Sequence, residues 1–220
     1  MPPPDALLLD FDGTLVDSMD ECRAVYAEFL EVHGRRPGAA EFDALVGATV
    51  PEIVDRLCAV HGLAERAAAL ARYRGLLAAR YAARVVPMPG AAGLIARSRA
   101  GGVRLGLVTS AEEPLVRAFL EAHGWGETFE AVITGAVGRP RKPDPAPYVA
   151  ALARLGLGAP DALAVEDSPA GVRSAVAARV RTIGLAPRGS ARAAALRAAG
   201  ADEVVDSLED VTAALAGSGA

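Results

Sequence analysis

Five short apolar runs punctuate this chain, and no other feature restricts its fold so tightly. They are ALLLD (6–10), VRLGLVT (103–109), AVITG (131–135), ALAVED (162–167) and VRTIGL (180–185). Helical spacing lies between them. Leu115, Val116, Phe119, Leu120 and His123 form one stripe, and Tyr148, Val149, Leu152 and Leu155 form another. A strand that is apolar throughout must be covered on both faces. The runs therefore predict a parallel sheet wrapped by helices on both sides, a doubly wound α/β fold. EVVD (203–206) can add a short edge strand.

One block breaks this rhythm. Between Asp17 and Val86 there is no strand-like run, only helical patterning over about 18–33, 39–46, 50–61 and 65–82. HGRRPG (33–38) separates the first pair and VPMPG (86–90) closes the block. A crossover to the next parallel strand needs only one helix. The surplus predicts a separate all-helical domain over 17–86, inserted into a core made of 1–16 and 87–220. The alternative is that these helices simply cover the sheet.

Composition narrows the partners. The chain has 220 residues, a net charge of −4 and no basic stripe, which argues against a nucleic-acid partner. Cys22 and Cys58 form no framework, so reduced thiols and a cytoplasmic setting are expected. The opening MPPPDALLLDFDGT has an apolar run of four residues flanked by acids, and reads as neither a leader nor a membrane anchor.

Ligands of an open parallel sheet bind beyond the carboxyl ends of its strands. The first run ends in Asp10, Asp12, Gly13 and Thr14, the second in Thr109 and Ser110, and the fourth in Glu166, Asp167 and Ser168. The loop after the third holds Lys142. Each piece alone has a plain structural reading. Asp10 and Asp12 can be turn residues around Gly13, Thr109 or Ser110 a helix cap, and Ser168-Pro169 an N-cap and N1 pair. Together these readings fail. Four carboxylates converging on one edge repel one another and need a cation. An oxygen-only ligand set suits Mg²⁺, which keeps several waters and bridges to phosphate.

The constellation resembles the haloacid dehalogenase (HAD) superfamily, whose four motifs match DFDGT, Thr109, Lys142 and EDSPAG (166–171) in order. The resemblance spans nearly the whole chain and lies nearest the branch of phosphoglycolate phosphatase, β-phosphoglucomutase and sugar-phosphate phosphatases. It implies a Rossmann-like core, a helical cap, and a small phosphorylated metabolite as substrate. Asp10 would be the nucleophile and Asp12 the general acid/base, with Thr109 and Lys142 completing the catalytic set. Gly13, Thr14, Thr109, Ser110 and Lys142 would hold the phosphoryl group. Asp10, Asp12 (through its main-chain carbonyl), Glu166 and Asp167 would hold Mg²⁺, Glu166 directly or through water.

The acid at position 12 favours phosphoryl transfer over dehalogenation, because a departing halide needs no proton. LVGATVPEI (45–53) lacks the Arg that follows the cap glycine in β-phosphoglucomutase, and SAEEP after Thr109 lacks the mutase's amide and lysine. A phosphatase is therefore preferred over a phosphomutase, and a catalytically silent phospho-ligand binder is a further alternative. The region 44–52 is nominated for substrate selection, His33, Cys22 and Trp125 are read as packing residues, and a monomer or a homodimer is expected.

Two details stand out against this frame. The chain carries 22 arginines but one lysine, Lys142. A compositional drift that replaced every other Lys should have taken this one too, unless Arg cannot work there. After EDSPAG the superfamily usually closes the next helix with AAG, whereas this chain reads AARV, with Arg179 in the glycine's place. Either Arg179 turns left-handed or the helix ends differently.

Overall fold

The structure is a computed structural model that describes residues 4–135, 138 and 140–217. The chain runs β1 (Ala6–Leu9), β2 (Val16–Asp17), α1 (Met19–Val32), α2 (Ala39–Leu45), α3 (Val50–His61), α4 (Arg66–Ala83) and β3 (Val86–Pro87). It continues through α5 (Ala91–Ala100), β4 (Arg104–Glu112), α6 (Glu113–Ala122), β5 (Ala131–Gly135) and α7 (Ala146–Leu155). Then follow β6 (Ala162–Glu166), α8 (Pro169–Ala177), β7 (Arg181–Leu185), α9 (Ala191–Ala198), β8 (Glu203–Val205) and α10 (Leu208–Gly217).

Six strands form one parallel sheet in the order β5-β4-β1-β6-β7-β8. The strand expected at 203–206 is its far edge. The two-residue period of β1 decides what covers each face. Leu7 and Leu9 join a buried cluster with Val25, Phe29, Leu94 and Phe119 from α1, α5 and α6. Ala6 and Leu8 join Tyr148, Ala151, Leu155 and Ala175 from α7 and α8. Each fully buried Leu contributes about 1.5–3 kcal/mol. The register sets Leu9 level with Leu107 and Val165. Asp10, just past β1, therefore stands level with Val108 and Glu166 at one edge of the sheet.

The helical block forms as expected, with each end within two residues of its expected place. In α3, Thr49 and Glu52 make a capping box and Gly62 closes the helix left-handed at φ 67°. Along α4, Ala69, Tyr73, Leu77 and Tyr81 recur every four residues and are buried. Tyr73 meets Phe29 of α1 edge-on, with ring centroids 5.3 Å apart. The apolar cluster continues from these helices onto the sheet through Phe11, which contacts both Tyr81 and Phe119. Where the chain leaves and re-enters the core, β2 and β3 form a small antiparallel ribbon, Val16 opposite Pro87 and Asp17 opposite Val86. Two-residue strands carry no periodicity, so the sequence reading missed it.

Arg179 is the one described non-glycine residue with positive φ, at 63°. Its N–H bonds the Val176 carbonyl (2.8 Å) and the Val180 N–H bonds that of Ala175 (3.0 Å), so α8 closes as a glycine would close it. The left-handed conformation costs a residue with a Cβ about 1–2 kcal/mol, partly offset because glycine is freer when unfolded. Arg179→Gly is expected to stabilise the protein by ~0.5–1 kcal/mol. The measurement is the urea midpoint at constant m, and an unchanged or lower midpoint refutes the expectation.

Among the described residues no helix is long and apolar enough to cross a membrane.

Candidate active site

β1 delivers the first two carboxylates through a tight turn. The Asp10 N–H donates to Val165 O (3.0 Å), extending the ladder by one residue, and the chain then folds back so that Leu15 and Val16 donate to Phe11 O. Gly13 makes this turn at φ 85°, and a Cβ there would overlap the Asp167 carboxylate. Only glycine meets both demands. Thr14 is fully buried, and its Oγ1 has no hydrogen-bond partner.

Thr109 and Ser110 do not end their strand, as had been expected. β4 continues to Glu112, which pairs with Gly135, and the register shifts between Val108 and Glu112. Thr109 and Ser110 therefore sit in a bulge, where the Thr109 hydroxyl accepts from the Ala111 N–H (2.9 Å). The reason lies on the neighbouring strand. Any Cβ at Gly135 would overlap the Ser110 backbone, so the bulge needs a glycine beside it.

Lys142 enters from the loop after β5, with the Lys142–Pro143 peptide cis. Its Nζ donates to Asp10 Oδ1 (2.5 Å), Glu166 Oε1 (2.5 Å) and the Val108 carbonyl (2.7 Å). All three N–H donors are used, so a phosphoryl oxygen reaching this amine must displace one of these partners. The Tyr148 ring lies 5.5 Å from Nζ, while its hydroxyl donates to Glu166 Oε1 (2.7 Å). Burial works against charge on Lys142, but Asp10 and Glu166 outweigh it and hold the amine's pKa above its ordinary value.

Glu166 ends β6 fully buried, and Ser168 Oγ also donates to it (3.1 Å). The same Ser168 caps α8 by accepting from the Gly171 N–H (3.0 Å), with Pro169 first in the helix, as the sequence predicts. Asp10, Glu166 and Asp167 each offer an oxygen within 4.8 Å of the others. The Arg192 guanidinium of α9 stands 3.6 Å from Asp167. Burial, and then the negative charge of Asp10, push the pKa values of Glu166 and Asp167 up, Glu166 to about 7. Asp10 and Glu166, both buried, and the half-buried Asp167 outnumber the Lys142 ammonium and the Arg192 guanidinium, which leaves negative charge in excess. The donors are all hard oxygens, so the residues present fit Mg²⁺.

The fourth carboxylate departs from the expected convergence. Asp12 is not in this group of three, and its Oδ1 accepts from Ser18 Oγ (2.6 Å) and from the Tyr81 hydroxyl. Both donors belong to the helical block, Ser18 just before α1 and Tyr81 near the end of α4. Burial raises the Asp12 pKa, and these two hydrogen bonds oppose the rise.

Tyr81 is the residue that sequence reasoning missed. Nothing in its spacing distinguishes it from Tyr73 on the same buried stripe, and only the packing of the end of α4 against Phe11 brings its hydroxyl to Asp12. Tyr148 was read as packing alone. Of the residues read as packing, His33 and Trp125 lie against aromatic rings, Phe29 and Phe119. Cys22 Sγ sits 4.0 Å from the Tyr81 hydroxyl, and burial pushes its thiol pKa up to about 12.

Two cavities meet this edge. The larger, about 660 Å³, follows the outer side of β5 and touches the candidate set at Thr109, Ser110 and Lys142, whereas Asp10, Asp12 and Asp167 do not line it. The smaller, about 270 Å³, lies between α3 and the end of β4. Both share Thr49, Ser110, Gly135 and Arg141.

Residues 4–179 match the family model for haloacid dehalogenase-like hydrolases. Phosphoglycolate phosphatase of Rhodospirillum rubrum is 35% identical over 189 residues, covering 82% of this chain and 78% of that protein. Hexitol phosphatase A of Escherichia coli K12 is 30% identical over 206 residues, covering 93% and 92%. Among solved structures, CbbY from Rhodobacter sphaeroides in complex with phosphate superposes with a TM-score of 0.81 at 28% identity, covering 94% of this chain and 96% of that one.

Proposed function

The chain belongs to the haloacid dehalogenase-like hydrolases, and from that membership we propose an Mg²⁺-dependent phosphatase that cleaves a small phosphorylated metabolite through an aspartyl-phosphate on Asp10. The observation that carries this reading is the Lys142 bridge between Asp10 and Glu166 beside Asp167, with Asp12 held apart two residues from Asp10.

In this reading Asp10 Oδ attacks phosphorus, and the bond to the leaving oxygen breaks with its electron pair. Asp12 supplies the proton that the leaving oxygen needs. Burial raises its pKa, which favours carrying that proton near neutral pH. Asp12 then takes a proton from the water that cleaves the aspartyl-phosphate, so its two protonation states serve the two halves of the cycle. Thr109, Ser110, Gly13 and Thr14 are the proposed phosphoryl-binding residues, and the unpaired Thr14 hydroxyl is a donor without another use. Lys142 keeps Asp10 in line and offsets its charge. Asp10, Glu166, Asp167 and the Asp12 carbonyl would hold Mg²⁺, which when bound neutralises the approach of one anion to another. Residues 17–86 serve as a cap hinged at the β2–β3 ribbon and excluding stray water. Two free thiols suit a cytoplasmic enzyme.

The test is turnover of p-nitrophenyl phosphate with and without Mg²⁺, paired with melting curves. Asp12, Glu166 and Asp167 have raised pKa values in the fold. The stability that each contributes is complete below its unfolded pKa of about 4, and is lost as pH rises through the folded value. Metal-free Asp167→Asn should therefore gain stability relative to metal-free wild type between pH 5 and pH 8. Millimolar Mg²⁺ should raise the wild-type Tm most at the alkaline end and leave the variant's unmoved. Metal-independent turnover, or a wild-type Tm indifferent to Mg²⁺, contradicts the reading.

A further inference from the structure

Two hydroxyls land on one oxygen of Asp12. Ser18 Oγ donates to Oδ1 (2.6 Å), and the Tyr81 hydroxyl donates to the same atom. Among the described residues no other hydrogen bond reaches the Asp12 side chain. A carboxylate oxygen has two lone pairs, so Oδ1 is filled and Oδ2 keeps both of its own. We infer that Tyr81 is a positioning residue for Asp12: it fixes Oδ1, and so makes Oδ2 the oxygen that passes a proton to the leaving group. The inference deepens the phosphatase reading and rests on it, because it takes Asp12 as the general acid/base.

The Tyr81 hydroxyl is held in place by its own ring. That ring stacks on Phe11, with centroids 6.3 Å apart and planes 24° apart. Phe11 lies between Asp10 and Asp12 in the chain, is fully buried, and meets Phe119 edge-on at 5.4 Å. Tyr81 is therefore packed against the same turn that carries Asp12, although it belongs to the helical insert. Cys22 Sγ lies 4.0 Å from the hydroxyl, and both Tyr81 and Ser18 are buried. A buried tyrosine hydroxyl needs a polar partner, and here that partner is Asp12 Oδ1.

An acid/base group needs this restraint. One hydrogen bond leaves a carboxylate free to swing about it, whereas two donors fixed on the same oxygen do not. Misplacing a reacting group by about 1 Å can cost ~10²-fold in rate. Ser18 is supplied by the chain six residues after Asp12, but the second donor comes only from the packing of α4.

Tyr81→Phe tests the inference, since it removes the hydroxyl and keeps the ring on Phe11. The measurement is the second-order rate of the first turnover, with enzyme in excess and Mg²⁺ saturating, for phenyl phosphate and p-nitrophenyl phosphate. Phenolate is the stronger base and leaves best with a proton, whereas p-nitrophenolate leaves without one. Tyr81→Phe should slow phenyl phosphate at least ~10-fold more than p-nitrophenyl phosphate. Ser18→Ala removes the other donor to Oδ1 and should shift the ratio in the same direction. In an Asp12→Asn background the Tyr81→Phe change should move the ratio by less than ~2-fold, because the group it positions is gone. Equal losses on both substrates, a Ser18→Ala ratio at the wild-type value, or a shift that persists in Asp12→Asn each overturn the inference and leave the phosphatase reading standing. Absence of Mg²⁺-dependent turnover of both compounds by wild type removes both.

Discussion

Asp12→Asn is expected to slow hydrolysis of an alkyl phosphate by ~10²–10⁴-fold, the range of a lost general acid/base. The amide has nearly the carboxylate's shape and can accept from Ser18 Oγ and the Tyr81 hydroxyl as Asp12 does, so the fold should survive. It cannot deliver a proton to an alkoxide or take one from water. The two halves of the cycle can be separated with p-nitrophenyl phosphate, whose leaving group departs as a stable anion without a proton. The variant should then release about one p-nitrophenolate per site in a burst and stall, because the water step still needs its base. A variant that turns over both substrates at near wild-type rates, with no burst, shows that Asp12 has another role.

Lys142→Met should be costly in a different way. Removing one partner of a buried ion pair costs about 3–5 kcal/mol, because the charge left behind has no solvent. Here two carboxylates, Asp10 and Glu166, lose their shared cation, and the Val108 carbonyl loses its donor. A sharp fall in Tm and loss of turnover are expected together. Lys142→Arg is the sharper variant. The guanidinium keeps the charge, but it is planar and wide, and Nζ sits where three acceptors converge between 2.5 and 2.7 Å. Arg should fold, yet push Asp10 off its line and lower kcat/KM by at least ~10-fold, about 1.4 kcal/mol. Near wild-type kcat/KM in the Arg variant means that charge alone suffices, and the survival of a single lysine then needs another explanation.

Much of this arrangement was legible in the residues themselves. Uniformly apolar runs can only be two-sided buried strands, and the parallel sheet follows because helices separate them. Ser168-Pro169 is local chemistry, readable from two adjacent residues. At Arg179 the sequence leaves two endings open, a left-handed turn or a different helix end, and the structure takes the first. The oxygen-rich strand ends were legible because a parallel sheet sets the carboxyl ends of all its strands on one edge.

What the residues alone could not determine depends on contacts between distant segments. The direction of the Asp12 carboxylate is decided by a hydroxyl 69 residues away, on a helix whose pattern says only that Tyr81 is buried. The bulge at Thr109–Ser110 depends on Gly135 of a neighbouring strand, and strand pairing is not written in either strand separately. The Arg141–Glu52 pair spans 89 residues and exists only because the insert folds back over the core. Periodicity and capping are short-range physics, carried by the chain's own geometry over one or two turns. Electrostatic pairing is decided by whichever groups packing brings together, and that is a property of the tertiary structure.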